Sequence, residues 1–167
     1  MDLLDREIII ELQADAKSSL KEIGERIGLS APSVMERVRK LEQSGVITGY
    51  HASVDAKKAG LDICAFIGVL VGDSQRITDF EVWLDGVPQV LECHHVTGGH
   101  TLLLKVKTQN TAALEALIRR IRASAGVTST ETMLVLSTQT ERVQLALPFS
   151  DEEADGGRRK RSRQKAS

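Results

Sequence analysis

Two closely spaced helix boundaries near the N-terminus constrain the fold of this chain more than any other feature. Ser19 followed by Glu22 has the spacing of a capping box, in which each side chain bonds the backbone amide of the other residue and a helix begins. Gly28 can adopt the left-handed conformation that ends this helix. Ser30 can cap the next helix, with Pro32 in its first turn, where a missing amide costs little. The sequence therefore predicts two helices joined by a turn of a few residues.

A third amphipathic helix precedes this pair, and a short alternating segment follows it. In LLDREIIIEL, residues 3–12, apolar side chains recur every four residues and acidic side chains lie largely on the other side. The last helix keeps Val34, Val38 and Leu41 on one side, and residues 46–54 alternate like a short hairpin. Three helices and a ribbon in this order are typical of a winged helix-turn-helix.

The last of the three helices would enter the major groove of double-stranded DNA. Arg37 is the first candidate for a base contact, since a guanidinium can donate two hydrogen bonds to guanine. Ser33, Arg39 and Lys40 are expected to hold phosphates. A solvated charged face on a structural helix is the alternative. The helix cap, the turn and the ribbon follow one another in the order expected of a DNA-binding unit, which favours DNA binding. The predicted DNA-binding residues are Ser30, Ala31, Pro32, Ser33, Met35, Glu36, Arg37, Arg39 and Lys40.

The remaining two thirds of the chain predict a sheet with helices on one side. ICAFIGVLV, residues 63–71, is an apolar run that indicates a strand buried on both faces. A helix that Ser74 could cap follows, then the strands VLECHHV and TLLLKVK, a helix capped by Asn110 or Thr111, and a last strand TETMLVLST. This order, βαββαβ, is the ferredoxin-like arrangement of the α+β class. Because the other face of the sheet needs a cover, we expect a homodimer.

The stretch ECHHVTGGHT combines one cysteine and three histidines with a glycine pair. If the glycines form a hairpin turn, Glu92 pairs with Lys105, and Cys93, His95 and His100 share a face. Three possible ligands on one face keep zinc conceivable, but leucines on the same face are typical of a core, so we predict no metal. No nucleophile, base and orienting acid come together, and we expect neither catalysis nor a cofactor.

Charge is segregated at the C-terminal end. The net charge of the whole chain is -1. Residues 151–167 carry six Lys and Arg against four Asp and Glu, so the residues before them carry 16 Lys and Arg against 19 Asp and Glu. In this tail DEEAD precedes GGRRKRSRQK, and no aliphatic side chain is larger than alanine, so we expect it to be disordered. Attraction to DNA and simple solvation are the two interpretations of its charges.

Apolar runs and cysteines restrict the cellular setting. No run approaches the roughly 18 residues of a membrane span, and acids occupy the position where a secretory signal has its basic segment, so we expect a cytoplasmic protein. Cys64 and Cys93 are too few for a disulfide framework, and both are expected to be buried as small apolar residues.

With both halves assembled, the chain resembles the leucine-responsive regulatory protein and AsnC family of feast/famine transcription factors. The motifs that match are LDR near the start, GLS before the third helix, RVRKLE followed by GVI, and VLEC ahead of VTG, within residues 3–149. The resemblance implies a winged helix-turn-helix joined to a ferredoxin-like regulatory domain, dimers that often form octamers, and amino acids as effectors in many members.

The resemblance also implies an effector pocket beside one turn, which in this chain is formed by Thr97, Gly98, Gly99, His100 and Thr101. Family members usually carry two acids in this turn, which could neutralise the amino group of a ligand. Gly99 and Thr101 stand at those positions here. The identity of the effector therefore stays open.

These observations predict four segments and one function. The segments are a DNA-binding domain over residues 1–50, a hairpin or linker over 51–61, an effector-binding and oligomerisation domain over 62–149, and a charged tail over 150–167. The predicted function is that of an oligomeric, sequence-specific regulator of transcription that responds to an amino acid or related metabolite. The alternatives are an effector-independent architectural DNA-binding protein and a small-molecule-binding module without a DNA function.

Overall fold

The structure, a computed structural model, describes residues 1–148, except for the side chain of Ser74. These residues divide into two compact units, one comprising Met1–Ala52 and the described residues from Thr140 onward, the other Ser53–Gln139. The elements are α1 (Leu3–Ala14), α2 (Leu20–Ile27), α3 (Ala31–Gln43), β1 (Ile63–Val71), a short 3-10 helix (Ser74–Arg76), α4 (Ile77–Asp85), β2 (Val90–His95), β3 (Leu102–Thr108), α5 (Thr111–Arg122) and β4 (Val127–Leu134).

Local capping sets the helix boundaries of the first unit. The Ser19 side chain accepts a hydrogen bond from the Glu22 amide while Glu22 accepts one from the Ser19 amide, so the predicted capping box at the start of α2 is confirmed. Gly28 ends α2 with φ +76°, and Ser30 caps α3. Tertiary packing then buries one residue of α1, one of α2 and two of α3 in a small core, which consists of Ile8, Ile23, Val34 and Leu41.

The chain returns to this unit after the sheet of the second unit. The Gln13 side chain accepts a hydrogen bond from the Leu145 amide at 2.6 Å and donates one to the Leu145 carbonyl at 3.2 Å. Gln144 in turn donates to the Gln13 carbonyl at 2.8 Å. One glutamine side chain therefore pairs with the main chain of a distant segment as a β-strand neighbour would.

The second unit is the predicted ferredoxin-like fold. Its four antiparallel strands have the order β2-β3-β1-β4. Alternate residues of β1 and β3 are buried together with the inner sides of α4 and α5, because successive strand residues point to opposite faces. This core comprises Ala65, Ile67, Val69, Val71, Phe80, Leu84, Val87, Leu102, Leu104, Val106, Leu114, Leu117 and Ile121.

Three details differ from the sequence prediction. Residues 46–54, which follow α3 where a wing is expected, contain no strand, because an isolated hairpin has too little packing to hold its shape. The α4 helix begins at Ile77, so Ser74 lies in the preceding 3-10 helix and not at the N-cap. The last strand covers Val127–Leu134, three residues earlier at its start than TETMLVLST. Among residues 1–148, no helix is long and apolar enough to cross a membrane.

Candidate nucleic-acid interface and candidate effector turn

The exposed side of α3 carries most of the residues predicted to contact DNA. Ser30 and Ser33 are joined at the N-terminal end by a 2.9 Å contact between their hydroxyl oxygens. Ala31 and Arg37 are half-buried. The exposed members of the predicted set are Ser30, Pro32, Ser33, Met35, Glu36, Arg39 and Lys40.

Arg37 is held by two carboxylates of α1 and its N-cap. Its Nη1 atom lies 2.7 Å from an oxygen of Asp2 and 2.7 Å from an oxygen of Asp5, and only 29% of its side chain is exposed. Hydrogen bonds to these two acids raise the pKa of Arg37 further above its ordinary value. The sequence predicts that Arg37 contacts a guanine, whereas in the structure its guanidinium binds these two acids and connects α3 to the start of α1.

The two acids are themselves fixed by a capping box. The Asp2 side chain accepts from the Asp5 amide and the Asp5 side chain accepts from the Asp2 amide, each at 2.9 Å. Sequence reasoning missed this feature, although the D-x-x-D spacing at the N-terminus is the same signal that identified the start of α2. The pairing with Arg37 has no local signature, because the partners are more than thirty residues apart.

Arg39 is the free guanidinium of α3. Within the part of the chain that the structure describes, it has no hydrogen bond and no ion pair, and it is exposed. Met35, one turn earlier on the same side of the helix, is 57% exposed. Next to this pair, Lys40 binds Glu36 at 2.7 Å, and this hydrogen bond and charge lower the pKa of Glu36. The exposed side of α3 therefore offers one unengaged cation and one apolar side chain.

The β2–β3 hairpin has the predicted register. Glu92 is opposite Lys105, Cys93 is opposite Leu104, and the Val96 amide donates to the Thr101 carbonyl at 3.2 Å. The turn contains Thr97, Gly98 and Gly99, of which Gly98 has φ +112°. The glycine pair therefore allows the tight reversal between the strands, as predicted.

His100 lies on a different face from the one predicted. Its ring covers Gly68 of β1, where an added Cβ would be 2.5 Å from the ring, and its Nε2 atom is 2.9 Å from a carboxylate oxygen of Glu131 on β4. The side chains of His100 and Glu131 lie on the face of the sheet opposite α4 and α5. His95 lies on the helical side, 2.6 Å from Glu81 of α4. Strand alternation does not extend to His100, because β3 begins only at Leu102.

The polar groups of this turn are largely engaged or covered. The Thr101 hydroxyl accepts from the Val71 amide at 3.1 Å, and the Thr101 amide donates to the Val69 carbonyl at 2.9 Å. The Nδ1 atom of His100 is buried and has no hydrogen-bond partner within residues 1–148. Sequence analysis did not single out Glu131 or Gly68. A glycine inside an apolar strand was the available signal for Gly68, since it often marks a close approach.

Neither cysteine is fully buried. Cys64 is half-buried and Cys93 is exposed, which corrects the expectation of burial for both. Cys93 lies on edge strand β2, which leaves its helical side partly uncovered. No group of three or more potential metal ligands lies together in the described chain, and the face shared by Cys93 and His95 does not include His100. Partial burial of the thiol and the nearby charges of Glu81 and Asp85 raise the pKa of Cys93.

We expect Cys93 to react slowly with iodoacetamide at neutral pH in spite of its exposure, because the thiolate is the reactive form and the raised pKa keeps it scarce. Glu81→Gln should accelerate the reaction by roughly two- to fivefold, since it removes a neighbouring negative charge. Alkylation can be followed by peptide mass spectrometry. Glu115→Gln on α5 serves as a control, and an equal acceleration in both variants would contradict the assigned cause.

Comparison with known proteins supplies an independent view of both units. The AsnC-type helix-turn-helix domain matches residues 1–42, and the Lrp/AsnC ligand binding domain matches residues 64–145. The HTH-type transcriptional regulator LrpA of Mycobacterium tuberculosis is 33% identical over 142 residues, which cover 85% of this chain and 95% of LrpA. The regulatory protein AsnC of Escherichia coli is 31% identical over 143 residues, which cover 85% of this chain and 94% of AsnC.

Solved structures agree with the fold. Escherichia coli AsnC superposes with a TM-score of 0.80 at 30% identity, covering 86% of this chain and 97% of that one. A feast or famine regulatory protein from M. tuberculosis, complexed with L-methionine, superposes with a TM-score of 0.79 at 34% identity, covering 85% and 96%. The similarity therefore extends over both units of the described chain.

Proposed function

This chain belongs to the Lrp/AsnC family of DNA-binding transcriptional regulators, and we propose that it reads DNA through Arg39 and Met35 of α3. The observation that carries this proposal is the difference between the two arginines: Arg37 binds two carboxylates, whereas Arg39 is exposed and unengaged within residues 1–148. A free guanidinium can bind guanine O6 and N7, and an apolar side chain can contact a thymine methyl group. Phosphate binding falls to Ser33 and Lys40. Such a regulator acts in the cytoplasm and without catalysis.

Selection from a pool of random duplex DNA tests this function. We expect the full chain to enrich an inverted repeat whose half-sites are about one helical turn, or a multiple of it, apart, because a symmetric dimer presents two copies of α3. Enrichment of no sequence, with binding retained, would support the architectural alternative. Absence of any DNA binding would overturn the proposal. The remaining interpretation would then be a small-molecule-binding module without a DNA function.

Replacing Lys40 with alanine should weaken binding to all sequences similarly. Lys40 is an exposed cation whose only pairing within residues 1–148, with Glu36, lies on the surface and is worth little. When it contacts a phosphate it releases about one counterion, so its loss should lower the slope of log affinity against log salt by about one. Lys58→Ala, which removes an exposed lysine of the other unit, is the control and should leave the slope unchanged. An unchanged slope for both variants would remove Lys40 from the interface.

We also propose that a second copy of the chain covers the open face of the sheet. This face, opposite α4 and α5, carries Phe66, Leu70, Leu103 and Met133, of which Leu70 is 38% and Met133 44% exposed. Met133→Lys should raise the dimer dissociation constant at least about tenfold, since a lysine would be buried in an apolar contact. Sedimentation equilibrium measures this directly. A wild-type chain that stays monomeric at high concentration, or a variant that dimerises equally well, would refute the proposal.

The turn from Thr97 to Thr101 is the proposed place of an amino acid effector. The structure of the M. tuberculosis relative with L-methionine supports this class of ligand. In this chain Glu131 of β4 places a carboxylate near the turn, where His100 contacts it. We therefore assign the ammonium group of the ligand to Glu131 and not to the turn itself.

A thermal-shift screen of the amino acids, with L-methionine among them, tests the assignment. Each compound that stabilises the protein is then added to a DNA-binding titration. We expect at least one to change the affinity for DNA or the half-site spacing, and we expect Glu131→Gln to remove its effect. If no amino acid stabilises the protein, the effector proposal fails while the DNA-binding role stands.

A further inference from the structure

A cavity of about 460 Å³ lies between α4 and α5, on the helical side of the sheet and away from the turn. Phe80 and Trp83 of α4 form one wall, with ring centroids 5.6 Å apart and ring planes 26° from parallel. Phe80 is 2% exposed, whereas Trp83 is only half-buried. The volume is in the range of cavities that hold small organic molecules. Phe80 therefore supports this wall from the core, and Trp83 is the ring that a ligand can reach.

Arg120 of α5 stands over this wall without a carboxylate partner in the described chain. Its guanidinium carbon is 5.5 Å from the centroid of the Trp83 ring. Its neighbours on α5 are engaged elsewhere, since Arg119 binds Glu115 at 2.8 Å and Arg122 donates to a threonine hydroxyl of β4 at 2.7 Å. A cation held against an aromatic ring keeps its in-plane N–H groups available for an anion.

A second arginine is held at the same cavity. Arg76 also lines it, and its Nη1 atom is 3.9 Å from the nearer oxygen of Asp79, the one carboxylate among the lining residues of the described chain. The loop after α5 packs against Arg76 at Gly126. There φ is +89°, and an added Cβ would be 2.6 Å from the Arg76 Cβ. Two guanidinium groups therefore face one carboxylate, which leaves the cavity with a net positive charge.

We propose that this cavity binds a small aromatic carboxylate, with its ring against the exposed part of Trp83 and its carboxylate on the guanidinium groups of Arg120 and Arg76. Guanidinium groups bind carboxylates through paired, charge-assisted hydrogen bonds. The aromatic wall and the alanine side chains at the end of α5 favour a ligand with a flat apolar part over inorganic phosphate. This site is separate from the Thr97–Thr101 turn and does not depend on the DNA-binding role.

Trp83 is the only tryptophan of the chain, so its fluorescence reports on this wall alone. We expect titration with phenylacetate to change the emission of the full chain with a saturable curve. Phenylacetamide, the uncharged match, and inorganic phosphate, an anion without a ring, should each bind at least about tenfold more weakly. Isothermal titration calorimetry with the same three compounds detects binding that leaves the emission unchanged.

Arg120→Ala should weaken phenylacetate binding at least about tenfold, since it removes a charge-assisted hydrogen-bond donor. Arg119→Ala is the matched control on the same helix, and should leave binding unchanged because Arg119 is bound to Glu115. Circular dichroism verifies that both variants are folded. The proposal is overturned if phenylacetate does not bind by either method, if phenylacetamide binds equally well, or if both variants lose the same affinity.

Discussion

Replacing Arg39 with alanine is expected to relax the sequence preference of this regulator at one base pair of each half-site. The guanidinium is exposed and has no partner within residues 1–148, so binding to guanine does not require it to leave an existing ion pair. Loss of a bidentate contact of this kind costs about 1–3 kcal/mol of discrimination between the preferred and the substituted base pair. Titration of wild type and variant against the selected DNA and its single-base variants measures the difference.

Arg37→Ala provides the contrast, because both arginines are on the same helix. We expect it to lower the free energy of unfolding of the N-terminal unit by about 1–2 kcal/mol, since two hydrogen-bonded contacts between charged groups are lost but one of the acids is more than half exposed. Its affinity for DNA should fall similarly for all sequences, because α3 loses its ion pairs to α1 and to the N-cap of α1, which help to orient it. Chemical denaturation and the same titrations separate these effects.

Two controls make the assignment decisive. Asp5→Asn keeps the size of the side chain but removes its charge, and should reproduce part of the destabilisation of Arg37→Ala, because the Asp2 contact remains, while leaving every DNA-contacting side chain in place. Arg39→Lys retains one charge and should recover overall affinity without full discrimination, since an ammonium lacks the paired geometry of a guanidinium. If Arg37→Ala loses preference at a single base pair and remains fully stable, the roles of the two arginines are reversed.

The sequence predicted what depends on neighbouring residues. The starts of α2 and α3 follow from Ser19, Glu22 and Ser30, whose side chains bond amides within three positions. The hairpin register follows from the glycine pair, because a two-residue turn leaves one way to pair the strands. The strand order of the sheet follows from the alternation of strand and helix patterns.

The sequence did not predict what depends on distant partners. Arg37 looked like an outward residue of α3, and only the folded unit brings Asp2 and Asp5 to it. Strand alternation predicted that His100 shares a face with Cys93 and His95. Its ring instead occupies the space over Gly68, more than thirty residues earlier. Patterns of period two and 3.6 specify which side of an element is buried, but they do not specify which charged group lies across from it.

Gly24→Ala is expected to disable the helix-turn-helix, although alanine is the better helix former. The substitution gains about 1 kcal/mol of helix propensity in α2. Gly24 is buried, however, and an added Cβ would overlap the carbonyl oxygen of Leu29, a backbone atom that cannot rotate away. The Leu29 amide also donates to the Gly24 carbonyl at 2.9 Å, so displacing this residue strains the turn that orients α3.

The steric cost should exceed the gain in propensity. Inserting one carbon into a closely packed site costs about 1–3 kcal/mol, and here the atom that must move belongs to the turn between α2 and α3. With a core of only four buried side chains among its described residues, the N-terminal unit has little stability in reserve. We therefore expect a net destabilisation of this unit by up to about 2 kcal/mol and a loss of DNA binding of at least about tenfold.

The comparison with Glu25→Ala isolates the steric effect. Glu25 is the next residue of α2 and is exposed, so alanine there changes helix propensity little and meets no backbone atom. Denaturation monitored by hydrogen exchange resolves the N-terminal unit from the second unit, which contains its own core and should be unaffected by either substitution. A Gly24→Ala variant at least as stable as wild type would show that the turn can shift away from the added carbon. The position of the turn would then not be what orients α3 on DNA.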